Sequence, residues 1–110
     1  MAKIKWYKHL YMSPRIKKRR ANRIHRIERG RFLKGMYLLM LSAHPDNQLE
    51  IMDARFLYLP YENPHISMVV GLADSYGEAL NLLLQISEDA AAAGCKGQLK
   101  RFILEKEGVG

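Results

Sequence analysis

Thirteen of the chain's eighteen Lys and Arg residues fall within its first 35 positions, where the only acid is Glu28. Residues 1–35 therefore carry +12 and residues 36–110 carry −5, which together give the net charge of +7. Charged side chains resist burial, so so basic a segment can offer a core only a narrow apolar stripe. The division predicts a basic N-terminal arm and helix over 1–35, followed by a small body over 36–110.

At 110 residues, 48% of them hydrophobic and 26% charged, the chain has the makeup of one folded domain rather than a disordered one. Its single cysteine, Cys95, cannot close an internal disulfide, and the N-terminus lacks a secretory pattern. Both point to a reducing cytoplasm. The longest nearly apolar run, Met36 to Ala43, falls well short of the roughly 20 residues a membrane-spanning helix needs. No transmembrane segment is expected.

Met1 to Met12 interleaves Ile4, Trp6, Tyr7, Leu10 and Tyr11 with lysines and fits neither helical nor strand periodicity, so an ordered or semi-ordered arm is expected. Ser13-Pro14 reads as an N-cap with proline at the first helical position, and Gly30 as the stop. Between them Ile16, Ile24 and Ile27 share one narrow face, so the helix should lean on the body or form fully only with a partner.

Met36 to Ala43 predicts a buried strand, His44 to Asn47 a turn, and Leu49 and Ile51 the return strand of a hairpin. Residues 54–65 read as a connection with a helical turn near Arg55 to Leu59. Ile66 to Ala73 predicts another strand, and Ser75 with Glu78 a capping box opening a helix that Gly94 closes. Ala79, Leu80, Leu83, Leu84, Ile86 and Ala90 are expected to form its sheet-covering face. Gln98 to Leu104 reads as a last strand, and Glu105 to Gly110 as a frayed tail. The fold class is α+β: a basic N-terminal helix, then a small mixed or antiparallel sheet of about four strands, covered by one long amphipathic helix within a C-terminal βαβ-like unit.

Trp6-Tyr7-Lys8-x-Leu10-Tyr11, the basic helix, Val69-Val70-Gly71-Leu72-Ala73 and Tyr76-x-Glu78-Ala79-Leu80 run through most of the chain. Together they resemble a family of short proteins of unknown function from gut-dwelling Gram-positive bacteria. The resemblance implies a bacterial, cytoplasmic, single-domain protein and lends no activity.

The basic cluster of Arg15, Lys17, Lys18, Arg19, Arg20, Arg23, Arg26 and Arg29 has the composition that sequence-independent binding to nucleic-acid phosphates requires. Arginine's planar fork suits phosphate, and Trp6 and Tyr7 beside lysines could stack on unpaired bases, with pinning of the arm as their ordinary role. With no groove-reading motif evident, RNA or a ribonucleoprotein is favoured over DNA. The alternative is a protein-interaction module or homo-oligomer whose arm docks on an acidic protein surface, with Met, Tyr and Leu of residues 52–61 as its contact patch. An anionic membrane surface is a third reading.

His9, His25, His44 and His65 lack ligand spacing, so no metal or cofactor is expected. Cys95 reads as an inert thiol, since no sequence pattern supplies it a base. The turn Gly71 to Ser75 lacks the glycine spacing of a phosphate loop, and Asp46, Glu50 and Asp53 read as a solvated face. No catalytic residue is assigned.

Overall fold

The computed structural model describes residues 4–31, 33–42, 47–58 and 68–108. Strand β1 (Lys5–Met12) leads through two short helices, α1 (Pro14–Lys17) and α2 (Arg20–Glu28), to a hairpin of β2 (Tyr37–Leu41) and β3 (Leu49–Asp53). A 3₁₀ turn over Ala54–Tyr58 follows, then β4 (Met68–Ala73), α3 (Tyr76–Ala92) and α4 (Leu99–Glu107). The strands form one mixed sheet in the order β1-β4-β2-β3, in which β1 runs parallel to β4 and the other neighbours are antiparallel.

The hairpin pairs Tyr37 with Asp53, Leu39 with Ile51 and Leu41 with Leu49, as its alternation predicts. Its turn at His44 to Asp46 lies outside the described residues. Strand β4 is central, and all six of its residues are buried, the signature of a strand covered on both faces. A register shift between Leu39 and Met40 leaves Val70 as an extra residue in β4. The shift turns Val69 and Leu72 to one face and Val70 and Ala73 to the other. Gly71 leaves room for Leu39 of β2: a Cβ there would lie 3.2 Å from the Cβ of Leu39.

Two apolar clusters result, one on each face. Val70, Leu39, Leu41 and Ala73 meet Ala79, Leu82, Ile86, Phe102 and Ile103 of α3 and α4. On the opposite face Val69, Leu72, Leu38 and Met40 meet Ile16 of α1 and Ile27 of α2, with Ile24 partly buried beside them. The basic helices thus lean on the body, their isoleucine stripe forming the second outer layer.

Several expectations about the arrangement need correction. The N-terminal segment expected as an arm is the edge strand β1, whose pairs run Lys5–Met68 and Trp6–Val69, then resume at Tyr11–Gly71 and Met12–Leu72. Four residues, Tyr7 to Leu10, therefore stand opposite Val70 alone, and this irregularity erased the strand periodicity. The basic helix is not continuous from Ser13 to Arg29 but breaks at Lys18 and Arg19, where Arg19 leaves helical geometry at φ −130° and ψ 40°. Like charges three and four positions apart, such as Arg15 with Lys18 and Arg19, oppose an unbroken helix there.

The segment Gln98 to Leu104 is helix α4, not a strand, so there is no C-terminal βαβ unit. Leu99, Phe102 and Ile103 recur at helical spacing, with Phe102 and Ile103 buried against the sheet. Arg101 and Glu105 form an i,i+4 pair at 3.0 Å on the outer side, and Gly108 (φ 85°) caps the end that was expected to fray. Two helices, rather than one, therefore cover this face. Their junction turns at Gly94 (φ 81°), where the Cys95 N–H donates to the Ala90 carbonyl at 2.7 Å. In α3 the Ser75 hydroxyl accepts from the Glu78 N–H at 3.1 Å, as the capping box predicts, but Leu82 takes the buried position while Leu80 and Leu84 stay exposed.

Since Ile27 is 1% exposed and pins α2 to the sheet, Ile27→Ala should cost about 2–5 kcal/mol, measured by urea unfolding. A loss under about 1 kcal/mol would mean that α2 is not seated as described.

Candidate functional site

The isoleucine stripe of α1 and α2 faces the sheet, which sends their cations outward. Arg15, Lys17, Lys18, Arg19, Arg20 and Arg29 are exposed, and Arg31 and Lys34 continue the surface. Arg23 and Arg26 lie at its flank and are partly buried. On the other side of the sheet the ionisable residues of α3 are all acids, Glu78, Glu88 and Asp89. The second helix of that cover, α4, sets Lys100, Arg101 and Lys106 against Glu105 and Glu107, so charge there is nearly balanced and the cationic excess lies on the α1 and α2 side.

The two aromatics proposed for base stacking part company. Tyr7 is 2% exposed and sits in the core under α3 and α4, so a stacking role for it is removed. Burial, and then the nearby Glu107 carboxylate, hold its phenol above the ordinary range. Trp6 is partly exposed on the α2 side, where its Nε1–H donates to Glu28 Oε2 at 3.1 Å. That bond ties β1 to the last turn of α2. Trp6 thus remains at the border of the cationic surface, already partnered.

At the carboxyl ends of the parallel pair β1 and β4 the chain leaves in opposite directions: after β1 into α1 and α2 on one face, after β4 into α3 on the other. Such a divergence leaves a crevice between the two exits, the usual ligand position in sheets of this kind. Ser13, completely buried, bridges the exits: its amide N–H donates to the Leu72 carbonyl at 3.1 Å and its hydroxyl to Asp74 Oδ1 at 3.1 Å. The Asp74 N–H donates back to the Ser13 hydroxyl at 3.3 Å. Ser13 makes no side-chain cap to α1, so its hydroxyl serves this bridge instead of the cap the sequence suggested.

One cleft here, of about 380 Å³, is lined by Arg15, Arg23, Arg26, Lys34 and Asp74, with Ile16, Gly35 and Met36 completing its lining. Arg23 Nε is buried in the protein without a hydrogen-bond partner, a state that costs roughly 1–3 kcal/mol. A sequence reading found these cations as members of a helical cluster. It could not show that Lys34 and Asp74 join them, because the topology of β1 and β4 makes that meeting.

A second cleft, of about 420 Å³, is lined by Tyr7, His9, Tyr11, Asp89, Phe102 and Lys106 among others. Tyr11 donates to Asp89 Oδ2 at 2.7 Å, and burial followed by this bond drives its phenol well above the usual range. Tyr7 and Tyr11 are therefore neutral near pH 7, not activated nucleophiles. His9 and His25 are exposed and well apart in sequence, while His44 and His65 lie outside the described residues. No grouping of ligating side chains suited to a metal occurs among the described residues. Cys95 is buried in the α3 and α4 core, and its Sγ approaches Glu105 Oε2 at 3.9 Å.

In the patch expected over residues 52–61, Phe56 is exposed and Met52 partly so, but Leu57 is buried. Residues 59–61 lie outside the described residues. A larger apolar exposure occurs on α3, where Tyr76, Leu80 and Leu84 are 53%, 44% and 60% exposed at successive intervals of four. Tyr76 meets Tyr37 of β2 edge to face at 5.7 Å. Among the described residues no helix is long and apolar enough to cross a membrane.

No protein-family model, curated protein or solved structure matches the chain.

Ser13→Ala removes the bridge and leaves the Asp74 N–H without its acceptor, so stability should fall by about 1–3 kcal/mol. Urea denaturation of the variant beside the parent checks it, and an unchanged midpoint would deny the bridge its structural role.

Proposed function

We propose that this protein is a non-enzymatic nucleic-acid-associated protein, with RNA or a ribonucleoprotein as the favoured partner. Its contact surface is the outward side of α1 and α2. The observation that carries the reading is the seating of those helices: their apolar stripe is used up by the sheet, so the exposed cations form a folded, one-sided layer. A layer of this kind neutralises phosphates and releases their counterions without reading bases. Arg15, Lys17, Lys18, Arg19, Arg20 and Arg29 make the outward contacts, Arg23 and Arg26 flank them, and Trp6 offers an aromatic edge beside them.

A protein-interaction or self-association module is the second reading, favoured by the exposed Tyr76, Leu80 and Leu84 on α3. In that case the cationic layer docks on an acidic protein surface. Sedimentation velocity of the full chain over a concentration series separates the two, since self-association through α3 is abolished by Leu84→Lys and is indifferent to the basic layer.

For the leading reading, fluorescence anisotropy against labelled single- and double-stranded RNA and DNA over a salt series should give binding that weakens log-linearly with salt. Replacing Lys17, Arg19 and Arg20 together by Gln should weaken all probes alike and flatten the salt slope by about one per lost phosphate contact. Unchanged binding in the triple variant would end the proposal. Deleting residues 1–30 is not a clean test, because it removes β1 and both helices of one outer layer; the truncated chain should lose cooperative unfolding.

A further inference from the structure

We infer that the cleft between α2 and the β1/β4 exits is a built site for a single phosphate dianion, bordering the outward layer that would meet a nucleic-acid backbone and sharing Arg15 with it. It is concave, about 380 Å³, and brings Arg15, Arg23, Arg26 and Lys34 around one space with Asp74 as the only acid among the described residues of its wall. Those cations come from α1, α2 and the approach to β2, so the fold, not a local run, assembles them.

Arg23 supplies the decisive observation. Its Nε is buried and has no partner in the protein, although almost every buried donor finds one. Nε with the adjacent Nη forms the side-on fork by which a guanidinium grips two oxygens of phosphate. A tetrahedral oxyanion in the cleft, met by a turn of the Arg23 side chain that brings its covered Nε to the wall, would satisfy the orphaned donor and balance the surrounding positive charge.

Position supports the same inference. The cleft lies beside Asp74, the residue that follows β4, and is walled by α1, α2 and the approach to β2. The Ser13–Asp74 bridge fixes the wall, since Asp74 Oδ1 is engaged by the Ser13 hydroxyl at 3.1 Å. The phosphate has two natural sources, the 5′ end of a nucleic-acid strand or a small phosphate ester.

The test uses the full chain, isotopically labelled, titrated with inorganic phosphate at constant ionic strength and followed by amide chemical shifts. Saturable shifts centred on Arg15, Arg23, Lys34 and Asp74 are expected. They should weaken at least tenfold in Arg23→Gln and in Lys34→Gln, and stay within twofold in Lys96→Gln, a charge-matched change at an exposed position beyond α3. Two variants guard against one failing to fold, and the parent's melting temperature should rise with phosphate. Shifts that never saturate, or that fall equally in Lys96→Gln, overturn the site.

A second arm compares 5′-phosphorylated with 5′-hydroxyl oligonucleotides at a salt concentration high enough to suppress backbone binding. Preference for the phosphorylated strand assigns the phosphate to a strand end. Equal binding of the two strands, with inorganic phosphate still saturating, assigns it to a small ester. Loss of oligonucleotide binding alone would sink the nucleic-acid reading and leave the cleft intact.

Discussion

Six successive buried residues in β4 demand cover on both faces of the sheet, and that demand organises the rest of the molecule. Helices α3 and α4 supply one cover with broad apolar faces. The other face, built from Leu38, Met40, Val69 and Leu72, is covered from the most highly charged part of the chain. Ile16 of α1 and the helically spaced Ile24 and Ile27 of α2 suffice because they meet on one side, letting eight cations remain at or near the surface. Burying that stripe is worth about 1.5–3 kcal/mol for each fully covered isoleucine. It is enough to seat helices whose charges would otherwise discourage them from forming.

The same constraint recruits the N-terminus. Without β1, one side of β4 would be an open edge, and α4 would have no strand beneath its far end. Both needs are met by Lys5–Met12, which pairs with β4 in parallel and whose Lys8 amide N–H donates to Glu107 of α4 at 3.2 Å. An edge N–H closed in this way is no longer free to pair with another chain's strand. Trp6, bonded to Glu28, holds the opposite layer to the same strand. The basic segment is therefore bound into the fold at both its strand and its helices, and its charges are displayed by a rigid support.

How much of this the sequence discloses depends on whether the signal is local. The β2–β3 hairpin, the Ser75 cap and the Gly94 turn each follow from a few neighbouring residues, and all three are present as read. Strand β1 was hidden because Tyr7 to Leu10 bulge against one residue of β4, which destroys the two-residue period. Helix α4 is ambiguous in sequence because Leu99, Phe102 and Ile103 in so short a segment satisfy strand-like hydrophobicity, and only their spacing tells helix from strand. In α3 the run Leu82 to Leu84 offers three leucines for one buried line, and composition alone cannot choose Leu82. The cationic layer was legible as a cluster. The cleft was not, since it needs β1 and β4 side by side before Arg15, Lys34 and Asp74 can share a wall.

The outward layer and the cleft also differ in the physics that would act on a polyanion. Exposed cations attract over about a Debye length, roughly 8 Å at physiological ionic strength, and their pull fades as salt rises. A partly buried guanidinium with an unsatisfied donor gains from a directed hydrogen bond in a less polar setting, which salt screens far less. Charge on α1 and α2 therefore favours encounter and orientation, with the acids of α3 turned away. Residence would be set by whatever the cleft can grip. A single short stretch of sequence thus serves two ranges of interaction, because its isoleucines fix which of its arginines face solvent and which face the crevice.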